Sequence, residues 1–167
     1  MTMKKMTLLL ATLLAVLATT LTTPAQPVKG DYELTLAGSG SVVNDLKDNA
    51  FGLSGDLGLY LSDAIKISVE QGVAYSSMGD SAVGETGVGL TYNIQHKKLG
   101  ALVPFLGGHA VALYGNTPLT WAAGPVGGLK FYVAKKAFLY GKVGYNFMLN
   151  GPKNDALNYG IGVGFNF

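Results

Sequence analysis

Cysteine is absent from the 167 residues, arginine is absent too, and charged residues make up only 13% of the chain. Without cysteine there is no disulfide framework, no cysteine metal site and no thiol for lipid attachment at a processed N-terminus. Without arginine, and with lysines that do not cluster, there is no basic patch of the kind a nucleic-acid partner needs. A third absence is a long apolar run. Beyond residue 25 no segment reaches 18 consecutive apolar residues, so helical membrane spans are not expected. Yet 49% of the chain is hydrophobic and 24 residues are glycine, an odd balance for a soluble domain of this size. A chain that is apolar on average but never apolar in a long run is what alternation produces.

The N-terminus reads as a processing segment. Lys4 and Lys5 lead an apolar stretch from Met6 to Ala18, followed by small and polar residues to Gln26. These are the three regions of a secretory signal peptide, and Thr23-Pro24-Ala25 supplies small residues for cleavage after Ala25. The segment 6–21 is short for a membrane anchor and contains threonines. The expected organisation is a cleaved leader, 1–25, and one mature domain, 26–167. Two of the 12 lysines leave with the leader, so the mature chain balances ten lysines against ten acidic residues.

Alternation is cleanest at the C-terminal end. Leu157, Tyr159, Ile161, Val163, Phe165 and Phe167 are all large and apolar, while Asn158, Gly160, Gly162, Gly164 and Asn166 between them are small or polar. Strict period two fits a strand and not a helix. A face made mostly of glycine cannot fill a core, but it suits a narrow, crowded lumen, so the large residues are expected to point outward into lipid. The pattern recurs at 32–42, 51–61, 65–75 and 85–95, and with more noise at 103–113, 121–133 and 139–149. These eight segments predict an all-β fold: a closed, eight-stranded, antiparallel, up-and-down transmembrane β-barrel. Segments of about 11 residues, tilted near 40°, each rise roughly 28 Å, the height of the apolar band of such barrels. Closure leaves no unpaired edge in hydrocarbon.

Tight turns are expected at Ser62-Asp63, at His96-Lys97-Lys98 and at Lys135-Lys136, with longer loops at 43–49, 76–82, 114–118 and 150–156 on the opposite side. Aromatics fall near both strand ends. Phe51, Tyr75, Tyr114, Trp121, Phe147 and Tyr159 lie toward the loops, and Tyr32, Tyr92, Phe105, Phe131, Phe165 and Phe167 toward the turns, the arrangement of two interfacial girdles. Three residues resist. Pro125 lies inside the sixth segment and cannot donate to a ladder, which predicts a bulge or a frayed end. Gln71 and His109 would face lipid under strict alternation unless a bulge turned them inward.

A lysine-led leader, eight alternating strands with lumenal glycines and the terminal sequence Gly164-Phe165-Asn166-Phe167 resemble the small outer-membrane barrels of the OmpA/OmpX type. The resemblance spans the whole mature chain and is architectural rather than a specific motif. It implies residence in a bacterial outer membrane, contact with the lipopolysaccharide leaflet, and recognition of Phe167 by the barrel-assembly machinery. The peptidoglycan-binding domain of OmpA itself has no counterpart in this sequence, so that activity is not expected.

Enzymatic chemistry finds little support. Some barrels of this membrane modify lipid A, but such work needs a nucleophile or base beside an orienting partner. His96 falls in a turn, and His109 is flanked by Gly107, Gly108, Ala110 and Val111. Two separated histidines form no metal ligand set, and glycines within strands form no phosphate loop. No cofactor is expected.

The lumen carries more information. Asp56 and Glu70 come out opposite each other across one hairpin, and Lys130 and Lys142 nearly opposite across another. Like charges facing each other weaken a sheet by some tenths of a kcal/mol or more. The second and third strands lie across the barrel from the sixth and seventh. A charge cross-brace of Asp56 and Glu70 with Lys130 and Lys142 is therefore expected, against the alternative that the four sit at different depths and are separately hydrated. Lumenal salt bridges are also what the resemblance implies. The function expected is a structural or surface role in the envelope, as a monomer with a plugged lumen. Open alternatives are a small ion-conducting channel, adhesion through the short loops, and a soluble lipocalin-like carrier.

Overall fold

The structure, a computed structural model, describes residues 26–43, 48–76, 81–115, 118–150 and 155–167. The expected leader, 1–25, and much of the four loops lie outside the described residues. The strands are β1 (Tyr32–Val43), β2 (Asp48–Tyr60), β3 (Ile65–Ser76), β4 (Ser81–Asn93), β5 (Leu102–Gly115), β6 (Thr120–Tyr132), β7 (Ala137–Met148) and β8 (Ala156–Asn166). Each pairs antiparallel with its neighbour in sequence, and β1 pairs with β8, so the sheet closes. At the seam Tyr32 and Phe167 exchange both backbone hydrogen bonds at 2.9 Å, and their rings stack at 5.8 Å.

The amount of stagger can be read from the pairing. From the Asp31–Tyr60 hydrogen bond, the partners Lys66, Thr91, Gly107, Val126, Gly144 and Asn158 lead once around to Ser41, ten residues beyond Asp31. Eight strands with that shear tilt by about 40° and enclose a cylinder of about 8 Å backbone radius, wide enough only for side chains.

Period-two alternation then sorts the residues. Leu53, Leu57, Val69, Val88, Leu106, Val143 and Ile161 stand on the outer wall, with Ile161 76% and Leu53 69% exposed. Apolar side chains of this size around the whole circumference form a surface suited to lipid and not to water. Inside, glycines make room. A Cβ at Gly58 would stand 2.9 Å from Lys66 Cγ, one at Gly72 2.8 Å from Glu85 Cγ, and one at Gly164 2.9 Å from Phe138 Cε1. These glycines are the floor on which longer lumenal side chains from the neighbouring strand lie.

Several sequence-based expectations need correction. Pro125 produces no bulge. The β6–β7 pairing skips Gly124 and Pro125 and resumes unshifted, from Ala123↔Phe147 to Val126↔Gly144. No residue is inserted; only the ladder contacts at the proline are lost, and Gly124 lets the β7 backbone close in, since a Cβ there would lie 2.8 Å from the Tyr145 carbonyl carbon. Gln71 remains on the outer face in unbroken register. His109 lies in the lumen without a bulge, because β5 turns Val103, Phe105 and Val111 inward and leaves Gly108 outside. Phe105 is therefore a buried lumenal residue and not part of an outer girdle.

The connections also differ from expectation. β2, β4 and β8 begin at Asp48, Ser81 and Ala156, so backbone pairing continues into segments that the side-chain pattern assigned to loops. The β4–β5 connection on the turn side is longer than a tight turn. It holds a 3-10 turn, Lys97–Leu99, and ends at Gly100, whose φ of +58° favours glycine.

Candidate functional site: the barrel lumen

At the turn end of the lumen a polar knot lies inside an aromatic shell. Glu33, the second residue of β1, is fully buried. Its Oε1 accepts from Lys66 Nζ at 2.8 Å, and its Oε2 accepts from Lys130 Nζ at 2.6 Å and from the Tyr60 hydroxyl at 2.8 Å. Lys66 also donates to Asp56 Oδ1 at 2.9 Å, and Lys130 to the Tyr60 hydroxyl at 2.9 Å. Burying these charges is tolerable only because each finds oppositely charged or hydroxyl partners. The Lys130 ammonium lies 5.5 Å from the ring centres of Tyr60 and Phe105 and 5.2 Å from that of Phe138, within range of cation–π attraction. Tyr132 and Phe138 pack at 5.1 Å, and Asn166 Nδ2 donates to the Tyr132 hydroxyl at 2.8 Å, drawing β8 into the same cluster.

Nearer the loops the lumen is looser. Lys142 on β7 donates to Glu70 Oε1 on β3 at 2.6 Å, and His109 Nε2 meets Asn146 Oδ1 at 2.5 Å. Two cavities of about 60 and about 80 Å³ flank this level. Each has room for a few waters, not for an organic solute.

Asp56 and Glu70 are register partners on β2 and β3. Lys130 and Lys142 are not opposite each other: Lys130 pairs with Tyr140, and Lys142 with Gly128. Lys142 reaches Glu70, Asp56 is bound by Lys66, and Lys130 goes to Glu33 rather than to either member of the expected acidic pair. Depth decides this. Lys130 and Glu33 sit at the turn end of their strands, whereas Glu70 and Lys142 lie near mid-strand. Glu33 and Lys66 were absent from the expected brace although alternation already placed both on inner faces; the shear that sets depth was the missing quantity.

Of the expected girdle residues, Phe51, Tyr75, Trp121, Tyr159, Tyr92 and Phe165 are all exposed on the outer wall, and Phe167 is exposed beside Tyr32 at the seam. His96 accepts the Lys98 amide through Nδ1 at 3.2 Å in the β4–β5 connection. Among the described residues no group of three or more His, Asp or Glu side chains converges on a point where a metal could sit.

Eight antiparallel strands, a closed seam, an apolar wall and a side-chain-filled lumen define the fold of the small eight-stranded outer-membrane β-barrels. Among solved structures the chain is similar to the N-terminal β-barrel domain of Pseudomonas aeruginosa OprF, with a TM-score of 0.64 and 18% identity over 84% of this chain and 100% of that one. It is likewise similar to Neisserial surface protein A, with a TM-score of 0.65 and 12% identity over 82% and 96% of the two chains. The outer membrane protein OprG of P. aeruginosa matches with a TM-score of 0.58 and 14% identity over 86% and 99%. No protein-family model matches the sequence, and no curated protein is similar to it.

Proposed function

We propose that this protein is an integral barrel of a bacterial outer membrane with a structural, surface-presenting role, exported by residues 1–25 and closed to general solute passage. The knot around Glu33 carries this reading: three buried charged or hydroxyl donors converge on one carboxylate across the turn end of the cylinder. The apolar wall supports lipid as its solvent, with Phe51, Tyr75, Trp121 and Tyr159 at one interface and Tyr92 and Phe165 at the other. In this reading Phe167 is the residue the barrel-assembly machinery recognises, the outer rim meets the lipopolysaccharide leaflet, and the barrel works as a monomer without catalytic chemistry. His109 supports the last point, since its partner is Asn146 and not a nucleophile or a carboxylate.

The test is fractionation followed by a detergent gel with and without boiling. A heat-shifted band in the outer-membrane fraction is expected; a band that is soluble and unshifted would overturn the reading. Brief ion conduction is a second reading, favoured because the plug consists of side chains alone. Planar-bilayer recording of the wild type against Lys130→Met tests it: discrete openings that change with the variant support it, and a silent bilayer rejects it.

A further inference from the structure

We propose that the turn-end rim over β4–β7 is a docking arc for anionic phospholipid headgroups. Two lysine pairs, far apart in sequence, make it. Lys97-Lys98 lie in the β4–β5 connection and Lys135-Lys136 in the β6–β7 turn. The Ala101 carbonyl accepts from the Tyr132 amide at 2.9 Å, which sets the two connections side by side on the rim. The Lys136 carbonyl accepts from the Asn166 amide at 2.8 Å, so the second turn is held against β8. Lys98, Lys135 and Lys136 are exposed, with no ion-pair partner among the described residues. Segments 94–101 and 133–136 contain no aspartate or glutamate to offset them.

The rest of the rim differs. Over β1–β3 it carries Lys29 against Asp31 and Asp63, whose carboxylates accept from the Val28 and Lys29 amides at 3.1 and 2.8 Å. The surplus of positive charge therefore belongs to one side of the rim. It also belongs to one end of the barrel, since the connecting segments of the other end hold Asp45, Asp48, Asp80 and Asp155 against Lys47 and Lys153. A separate feature indicates what the arc meets. Leu99 is exposed beside Lys98 in the 3-10 turn, and Ile94, Leu102, Leu129 and Leu139 are exposed on the adjoining wall. A soluble acidic partner could pair the lysines, but it gives no reason for a leucine to stand out among them. A bilayer gives one: the leucine enters the acyl boundary while the ammonium groups remain at the level of the phosphates. A zwitterionic headgroup already neutralises its own phosphate, whereas an anionic one keeps a net charge for the lysines to attract. The inference rests on the reading of the wall as lipid-facing.

The test is lipid selectivity, read by electron paramagnetic resonance around the refolded, full mature chain in phosphatidylcholine vesicles. Spin-labelled phosphatidylglycerol is compared with spin-labelled phosphatidylcholine, and the immobilised fraction of each gives their relative association with the protein. At low salt a preference of about threefold or more for phosphatidylglycerol is expected, shrinking toward parity in molar potassium chloride. The fourfold variant K97Q/K98Q/K135Q/K136Q is expected to lose the preference, and Lys29→Gln, on the other side of the rim, to keep it. Equal association of both lipids with the wild type would leave the arc to a soluble acidic partner and overturn the proposal. A preference that the fourfold variant retains overturns it as well. Should that variant not fold, the double variants K97Q/K98Q and K135Q/K136Q decide: a partial loss in each supports the arc, and no loss in either rejects it. Immobilised lipid without selectivity would sink this proposal alone, whereas no immobilised lipid of either kind would sink the lipid-facing reading beneath it.

Discussion

Lys142 and Glu70 bond at 2.6 Å although their strands, β7 and β3, lie on opposite sides of the barrel and share no backbone hydrogen bond. The contact ties together parts of the wall that the sheet itself connects only the long way round. Glu70→Gln and Lys142→Met are each expected to lower the unfolding free energy, and the double variant to lose less than the sum. The coupling should fall at about 0.5–3 kcal/mol. Urea titration of the four proteins in lipid vesicles measures it. Additive losses would mean that the pair contributes nothing beyond its separate hydration.

The Glu33 knot should show a strict order of costs. Glu33→Ala strips Lys130 of its carboxylate partner and leaves Lys66 with Asp56 among the described residues, a loss of about 3–5 kcal/mol. Lys130→Met is expected to cost less, because Glu33 keeps Lys66 and Tyr60. The same titration ranks them, and the reverse order would place the centre of the knot elsewhere.

Glycine substitutions should divide by face. At Gly164 an added Cβ meets the Phe138 ring, so Gly164→Ala is expected to cost about 1–3 kcal/mol through overpacking. At Gly38, on the outer wall, a Cβ meets nothing within 4 Å, and Gly38→Ala should be neutral or slightly stabilising. Refolding yield and unfolding midpoint of the pair check this.

On the outer wall Gln71 is kept satisfied within a small polar cluster. Its Nε2 donates to the Glu85 carbonyl at 2.8 Å and to the Tyr114 hydroxyl at 2.6 Å, while its Oε1 accepts from Thr86 Oγ1 at 2.7 Å. Thr86→Val removes the donor to an oxygen that faces lipid, an expected loss of about 1–3 kcal/mol. Adding Gln71→Leu should restore most of it, since both partners are then apolar. A double variant no more stable than Thr86→Val would show that water reaches the cluster.

How much of this was legible depended on contrast between the two faces. In β8 large residues alternate with glycine or asparagine without exception from Leu157 to Phe167, and both strand and orientation could be read directly. In β5 the rule of large outside and small inside reverses. Phe105 and Val111 point inward while Gly108, Ala110 and Ala112 occupy the other face, so His109 was assigned to lipid. The reversal has a cause: β5 supplies bulk to the lumen where its neighbours supply Gly87 and Gly128. The inward set of charges was legible, but its pairing was not, because alternation gives the face of a residue and says nothing of its depth. Depth follows from shear, which is a property of the closed sheet.

Shear also gives the Glu33 knot a second consequence. A barrel whose seam slipped by two residues would still turn every apolar side chain to lipid, and the membrane would accept it. The knot would not. Such a slip moves β1 by about 6.6 Å along its neighbour, carrying Glu33 out of reach of Lys130 and leaving buried charges stranded. The buried charges of the lumen thus serve as a gauge for the weld between the first strand and the last: only the correctly closed cylinder lets the teeth of this key fall into place.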